Sequence, residues 1–337
     1  MSLGLGVDTS AYTTSLCLAD EAGAALWEWR RLLDVPEGAV GLRQSQAFFT
    51  HSSRLVEAIL AWRRECGLRP ERIVASATPR PQPGSYMPVF TAGANAARAL
   101  AAAWNVPYAG ISHQENHIWA ALPDGFDGAG PGAVLHLSGG TTELLTVERN
   151  PRPAGEVERW SVALAAATDD LTAGQFIDRV GVALGLPFPA GPALEALAAE
   201  AGAAQPLPVA VRAGRLSFSG PESAAQRALA AGVEPAALAR GVLACVAASL
   251  VKLLDQTAFD PRPAQLLVVG GVAENAVLRA ELAAWGRRRG LNVRFAAPER
   301  ARDQAYGCAR AAARWAALDQ RQGAGCAPPK RGVEVDA

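Results

Sequence analysis

The chain has 337 residues, with 32 basic and 32 acidic side chains and no formal net charge. At roughly 150 residues per domain this suggests two domains, and 50% hydrophobic residues against 19% charged ones exclude a disordered chain. Zero net charge also excludes a generally basic, nucleic-acid-coating surface, while leaving room for a local patch.

Residues 3 to 8 and 14 to 19 are predicted strands joined by a polar turn, and 24 to 33 a third strand with Trp27 and Trp29 on one face. An amphipathic pattern over 42 to 66 predicts a helix that Gly67 stops. After a strand over 73 to 77, a proline-rich run from Pro79 to Pro88 precedes a small-residue helix over 92 to 104. A strand over 106 to 111 runs into a helix that starts near His113. The pattern then restarts with strands over 133 to 137 and 143 to 148 around a tight Ser-Gly-Gly-Thr-Thr turn. Helices are predicted over 169–184, 191–203, 221–231 and 235–257. A strand over 266–269, a helix over 274–289, a strand over 293–296 and a last helix over 303–320 complete the order. The expected division is a first α/β half over 1–128 and a second over 129–322 whose last helix folds back to the first. A disordered tail is expected over 323–337, where Pro-Pro and mixed charges break the pattern.

Five scattered cysteines form no CxxC pair, so neither a disulfide framework nor a thiolate zinc site is suggested. The N-terminus lacks the basic start and cleavage motif of a secretory signal. No run approaches the ~18 uninterrupted apolar residues of a membrane span. A cytoplasmic chain with no membrane contact is the expectation.

The two halves open alike. Gly6-Val7-Asp8-Thr9-Ser10 leads through Thr13 and Thr14 into a strand, and Leu137-Ser138-Gly139-Gly140-Thr141-Thr142 does the same with a shorter turn. Glycines let backbone N–H groups approach an anion and the hydroxyls add donors, so Asp8, Thr9 and Ser10 suit one of two phosphate-facing loops across a nucleotide cleft. Either copy alone reads equally as an ordinary polar hairpin. A strand ending in Gly270-Gly271 enters a helix near Asn275, where a base or phosphate can lie against bare backbone. Between Asp178 and Glu195, beside Gly191, a carboxylate could take ribose hydroxyls or simply face solvent.

His113 and His117 sit four residues apart at a predicted strand-to-helix junction, which stacks both imidazoles on one helical face within reach of one cation. With only four histidines in the chain, the pairing is informative, although two surface histidines at a helix start share the spacing. HExxH peptidases use it too, but there a glutamate directly follows the first histidine as general base. Here that residue is Gln114, and Glu115 falls on the opposite side of the helix. Asp303, at the start of the last predicted helix, is the best-placed third ligand by pattern; an ordinary N-cap is its plainer role.

The ordered set D-T-S, H-x-x-x-H, L-S-G-G-T-T, F-I-D, P-A-G-P, an F-S-F-S-G-like L-S-F-S-G over 216–220 and V-G-G-V-x-x-N, with a late Asp, resembles the catalytic subunits that synthesise threonylcarbamoyladenosine in tRNA, a family once labelled glycoprotease. The resemblance covers residues 3 to about 320. It implies two similar halves of the actin/Hsp70/sugar-kinase fold around a nucleotide cleft. It also implies a divalent ion, Fe or Zn, on His113, His117 and Asp303, and a substrate loop formed by His136, Leu137, Ser138, Gly139 and Gly140. Nucleotide contacts are implied at Asp178, Gly191, Glu195 and Asn275. The implied reaction passes a threonylcarbamoyl group from threonylcarbamoyl-AMP to the N6 amine of the anticodon-adjacent adenosine of tRNA. Implied partners are tRNA, a smaller homologous subunit and an ATPase, with a homodimer as a further arrangement.

Several positions depart from the family pattern. Tyr12-Thr13 replaces an acidic pair, the 79–88 run replaces a Gly-Pro-Gly loop, Thr141 replaces the histidine after Ser-Gly-Gly, Pro221-Glu222 displaces a basic residue, and Gln304 replaces an Asn. The alternative is a divergent paralogue that binds nucleotide and metal but uses another acceptor, or acts as a non-catalytic partner. Arg30-Arg31, Arg63-Arg64 and Arg287-Arg288-Arg289 could line a tRNA path or be solvated element ends.

Overall fold

The structure, a computed structural model, describes residues 1–10, 12–34, 42–121, 132–150, 159–212 and 214–323. The expected boundary at 128/129 and the tail over 324–337 lie outside the described residues.

In the first half, β1 (Leu3–Asp8), β2 (Thr13–Asp20) and β3 (Ala25–Leu32) form an antiparallel meander. Helix α1 (Gln44–Glu65) returns the chain to β4 (Arg72–Thr78), and α2 (Pro88–Trp104) to β5 (Tyr108–Ser112). Both strands run parallel to β1, giving the order β3-β2-β1-β4-β5. Helix α2 begins four residues before its predicted start, because Pro88 at its first turn has no N–H to lose and a preset φ. Helix α3 (His113–Ala121) follows β5 directly.

The second half repeats the plan. β6 (Gly132–Leu137), β7 (Thr142–Asn150) and β8 (Arg159–Ala167) form a second meander. Helices α4 (Ala173–Ala183) and α5 (Gly191–Ala199) come next, then the two-residue strands β9 (Val211–Arg212) and β10 (Arg215–Leu216). Helices α6 (Ser219–Ala230) and α7 (Pro235–Gln256) lead to β11 (Gln265–Val269), α8 (Ala276–Arg289), β12 (Asn292–Phe295), α9 (Pro298–Ala301) and α10 (Tyr306–Gly323). The order β12-β11-β6-β7-β8, with β11 and β12 parallel to β6, is the first sheet's order over again. Helix α7 is long and apolar enough to cross a membrane by length and composition, but 67% of its apolar window is buried in the core of the second half.

Strand β8 has no counterpart in the predicted elements. Its run Ala163-Leu164-Ala165-Ala166-Ala167 carries little strand propensity, and pairing with β7 imposes the conformation. Two helix starts also move. Asn275 is the N-cap of α8, its Oδ1 accepting from Leu278 N–H at 3.1 Å, so that helix begins after Glu274. Helix α10 begins at Tyr306, and Asp303 lies in the preceding bend. The α10 start is held from α3 instead: Asn116 Nδ2 donates to the Gln304 carbonyl at 2.7 Å and Asn116 Oδ1 accepts from Cys308 N–H at 2.9 Å.

The halves interlock through these last helices. Helix α10 lies directly on β1, where a Cβ on Gly4 would stand 2.1 Å from Ala313 N and one on Gly6 2.2 Å from the Ala305 carbonyl oxygen. Only glycine admits a helix this close to a strand. In return Ile118 and Trp119 of α3 pack with Val134, Leu145 and Leu267 of the second sheet and Trp315 of α10. The ends of β1, β5 and β6 are thereby drawn to one cleft.

Candidate metal centre

Strand β5 ends at Ser112, and a capping box turns the chain into α3. Ser112 N–H donates to Glu115 Oε2 at 2.8 Å while Glu115 N–H donates to Ser112 Oγ at 3.2 Å. Glu115 is therefore occupied in capping, on the far side of the helix from the histidines, and does not stand beside them as a peptidase base.

This start points His113 and His117 into the cleft with Nε2 atoms 3.1 Å apart. Asp303 Oδ1, from the bend before α10, lies 3.3 Å from both. His136 joins from β6: one nitrogen of each of the three histidines lies within 4.8 Å of the others. Asp8, at the end of β1, closes the far side with Oδ1 3.5 Å from His113 Nδ1.

The donor set fits a divalent cation. Nitrogen and oxygen ligands bonded at about 2.0–2.2 Å to one tetrahedral ion stand about 3.3–3.6 Å apart, close to the 3.1 and 3.3 Å separations here. Both ring nitrogens of His136 are buried without a hydrogen-bond partner. Burying polar atoms unpartnered is costly unless something occupies the space between them.

The electrostatics follow. Burial lowers the His113 pKa, but Asp8 and Asp303 outweigh it and push the imidazole up to about 10. Burial and then the charge of His113 hold His117 down. His136 is held well down by burial together with both other histidines. Burial would raise Asp303, but His113 and His117 keep it well below the ordinary carboxylate range.

Other predicted site residues fall into two groups. In the first loop, Thr9 Oγ1 donates to the Val89 carbonyl at 2.8 Å and accepts from Gly93 N–H at 3.1 Å, while Ser10 Oγ donates to Asp8 Oδ2. These hydroxyls brace α2 and orient Asp8. In the second loop, Ser138 N–H donates to the Thr141 carbonyl at 2.8 Å, and Gly139 and Gly140 stay exposed.

The nucleotide-side residues form a band. Asp178 Oδ1 accepts from Ala190 N–H at 2.8 Å, beside Gly191, and burial raises the Asp178 pKa. Glu195 bridges to Asn275 Nδ2 at 2.8 Å and to Ala276 N–H at 2.9 Å. Gly270 takes φ +94° with Gly271 exposed after it, and a Cβ on Gly270 would meet the Leu137 carbonyl oxygen at 2.2 Å. The band thus abuts the second loop and His136.

Sequence reasoning missed that His136 and Asp8 turn toward the paired histidines. The available signal was scarcity: three of four histidines gather here, and the fourth, His51, pairs with Thr14 Oγ1 at 2.8 Å. The basic runs are partly neutralised, with Arg31 on Glu57, Arg64 on Glu65 and Arg289 on Asp255.

Comparison with known proteins bears on this cleft. The family model described as tRNA N6-adenosine threonylcarbamoyltransferase matches residues 41–309. The chain is 34% identical over 317 residues to the protein of that name from Thermus thermophilus, covering 92% of this chain and 91% of that one. It is 31% identical over 303 residues to its namesake from Methanopyrus kandleri, covering 89% and 83%. Among solved structures, component A of the Acidaminococcus fermentans (R)-2-hydroxyglutaryl-CoA dehydratase superposes with a TM-score of 0.57 at 16% identity, over 94% of this chain and all of that one. Full-length HypF in its phosphate- and nucleotide-bound form gives 0.56 at 13% identity, over 96% of this chain and 56% of that one. These two likenesses carry the fold, of the actin/Hsp70/sugar-kinase type.

Proposed function

We propose that this chain, which belongs to the tRNA N6-adenosine threonylcarbamoyltransferase family, transfers a threonylcarbamoyl group from threonylcarbamoyl-AMP to the N6 amine of the anticodon-adjacent adenosine in tRNA. The observation that carries the reading is the triangle of buried His117 with half-buried His113 and Asp303, and with His136 beside it, in the cleft of a member of that family. These residues would hold one divalent ion, Fe or Zn. Such an ion supplies Lewis acidity that polarises the carbonyl under attack.

The chain's own groups do the rest. The exposed backbone of Gly139 and Gly140 can offer N–H donors to the departing phosphate, with the turn held by Ser138 N–H on the Thr141 carbonyl. Glu195 and Asn275, which hold each other, would exchange that pairing for ribose and base. Gly270 and Gly271 let the nucleotide lie against backbone, with Asp178 and Gly191 completing the wall. A smaller homologous subunit would find an apolar stripe on α1, where Phe49, Val56 and Leu60 are exposed. An ATPase and a cytoplasmic setting belong to the same reading.

A second reading, transfer to an acceptor other than tRNA, is favoured by the ion-paired basic runs. Supplying threonylcarbamoyl-AMP, partner proteins and tRNA, and looking for the modified adenosine, separates the two. Donor and metal binding without tRNA modification supports the second.

A further inference from the structure

Arg80 is fixed in a way that the reading above leaves unused. It stands between Pro79 and Pro81, so its backbone is driven toward extended conformations. Hydrogen bonds within the segment add to this. Thr78 Oγ1 donates to the Arg80 carbonyl at 2.9 Å, Arg80 N–H donates to Ser85 Oγ at 3.0 Å, and Ser85 N–H donates to the Gln82 carbonyl at 3.1 Å. A side chain on such a base is presented with little entropy left to lose on binding.

That side chain crosses to the other half. Its guanidinium pairs with Glu143 of β7, whose side chain is 3% exposed and whose second oxygen accepts from Gln114 Nε2. Gln114 directly follows His113. Glu143 stands opposite His136 in the β6–β7 ladder, and opposed residues of an antiparallel pair project from one face with Cβ atoms about 4.5–5.5 Å apart. Glu143 thus holds the guanidinium over the face of the sheet that carries His136. One Nη of Arg80 is engaged there, and the side chain remains 52% exposed. A guanidinium has five N–H donors in a planar fork, so an open edge is left that matches a carboxylate.

We propose that Arg80 recognises the free carboxylate of the carbamoylated amino acid on the donor, with Glu143 as its positioning residue; this rests on the transferase reading above. The donor phosphate has the exposed second loop, which leaves the open N–H edge of Arg80 for the other anionic group of the donor.

Calorimetric titration of the metal-loaded full chain with threonylcarbamoyl-AMP and, separately, with AMP tests the assignment. Arg80→Gln weakens threonylcarbamoyl-AMP binding by about tenfold to hundredfold, as loss of a charged hydrogen bond requires, and leaves AMP affinity unchanged. Arg80→Lys falls between, keeping the charge and losing the fork. Glu143→Gln shows a smaller loss on the same ligand, and the Tm of each variant separates unfolding from lost recognition. Equal losses for both ligands mean that Arg80 reads phosphate and overturn the assignment, as does no loss for either. Wild-type chain that binds AMP but not threonylcarbamoyl-AMP overturns the transferase reading, and this assignment with it.

Discussion

The Asn116 side chain of α3 caps the first turn of α10, its Oδ1 accepting from Cys308 N–H at 2.9 Å across 192 positions of sequence. The same amide donates to the Gln304 carbonyl, fixing the bend that carries Asp303. Capping is thereby supplied from one half to the other, and the carboxylate of Asp303 is left to face the histidines.

Asn116→Ala should therefore act twice. Unfolding in urea is expected to show a loss of about 1–2 kcal/mol, the usual cost of a missing cap, and metal affinity should fall about tenfold or more, as when a residue supporting a ligand is removed. Unchanged metal affinity in the folded variant would show that Asp303 is placed by other contacts.

His136→Ala tests the third histidine. Elemental analysis of the freshly purified wild-type chain should find one divalent ion, and the variant should bind it at least about tenfold more weakly. His113→Ala should lose it altogether. Wild-type affinity in His136→Ala would confine the set to His113, His117 and Asp303.

Metal loading should release about one proton at pH 7. In the metal-free chain the His113 imidazole, at about 10, carries a proton there, whereas His117 and His136 are held down and Asp303 is ionised. A cation needs a neutral imidazole, so its apparent affinity rises with pH, about tenfold per unit, until pH passes the His113 value. Calorimetry in two buffers of different ionisation enthalpy measures the release; heats that do not depend on the buffer contradict it.

Gly6→Ala should destabilise the interlock of the halves. Its methyl would meet the Ala305 carbonyl oxygen at 2.2 Å, and overpacking of this kind costs about 1–3 kcal/mol. The urea midpoint is the measurement, and a midpoint equal to wild type would mean that α10 shifts freely on β1.

Much of this was legible in the sequence, for identifiable reasons. The duplicated hairpins, each followed by parallel strands, rest on local periodicity and turn chemistry, and both sheets follow it. His113 and His117 were legible because four-residue spacing survives any tertiary arrangement. Strand β8 was not, since its alanines hide the alternation that β7 imposes. His136 was not legible as a cluster member because β6 is buried along its whole length, so no alternation marks which side faces the cleft. The Asn116 cap and the Arg80–Glu143 pair join residues far apart in the chain, and no local pattern records them.

The most direct test of the central claim is nucleoside analysis of tRNA after incubation with metal-loaded chain, partner proteins and threonylcarbamoyl-AMP. Threonylcarbamoyladenosine should appear with the wild-type chain and vanish with His113→Ala. Unmodified tRNA from wild-type chain that demonstrably binds both metal and donor would contradict the claim.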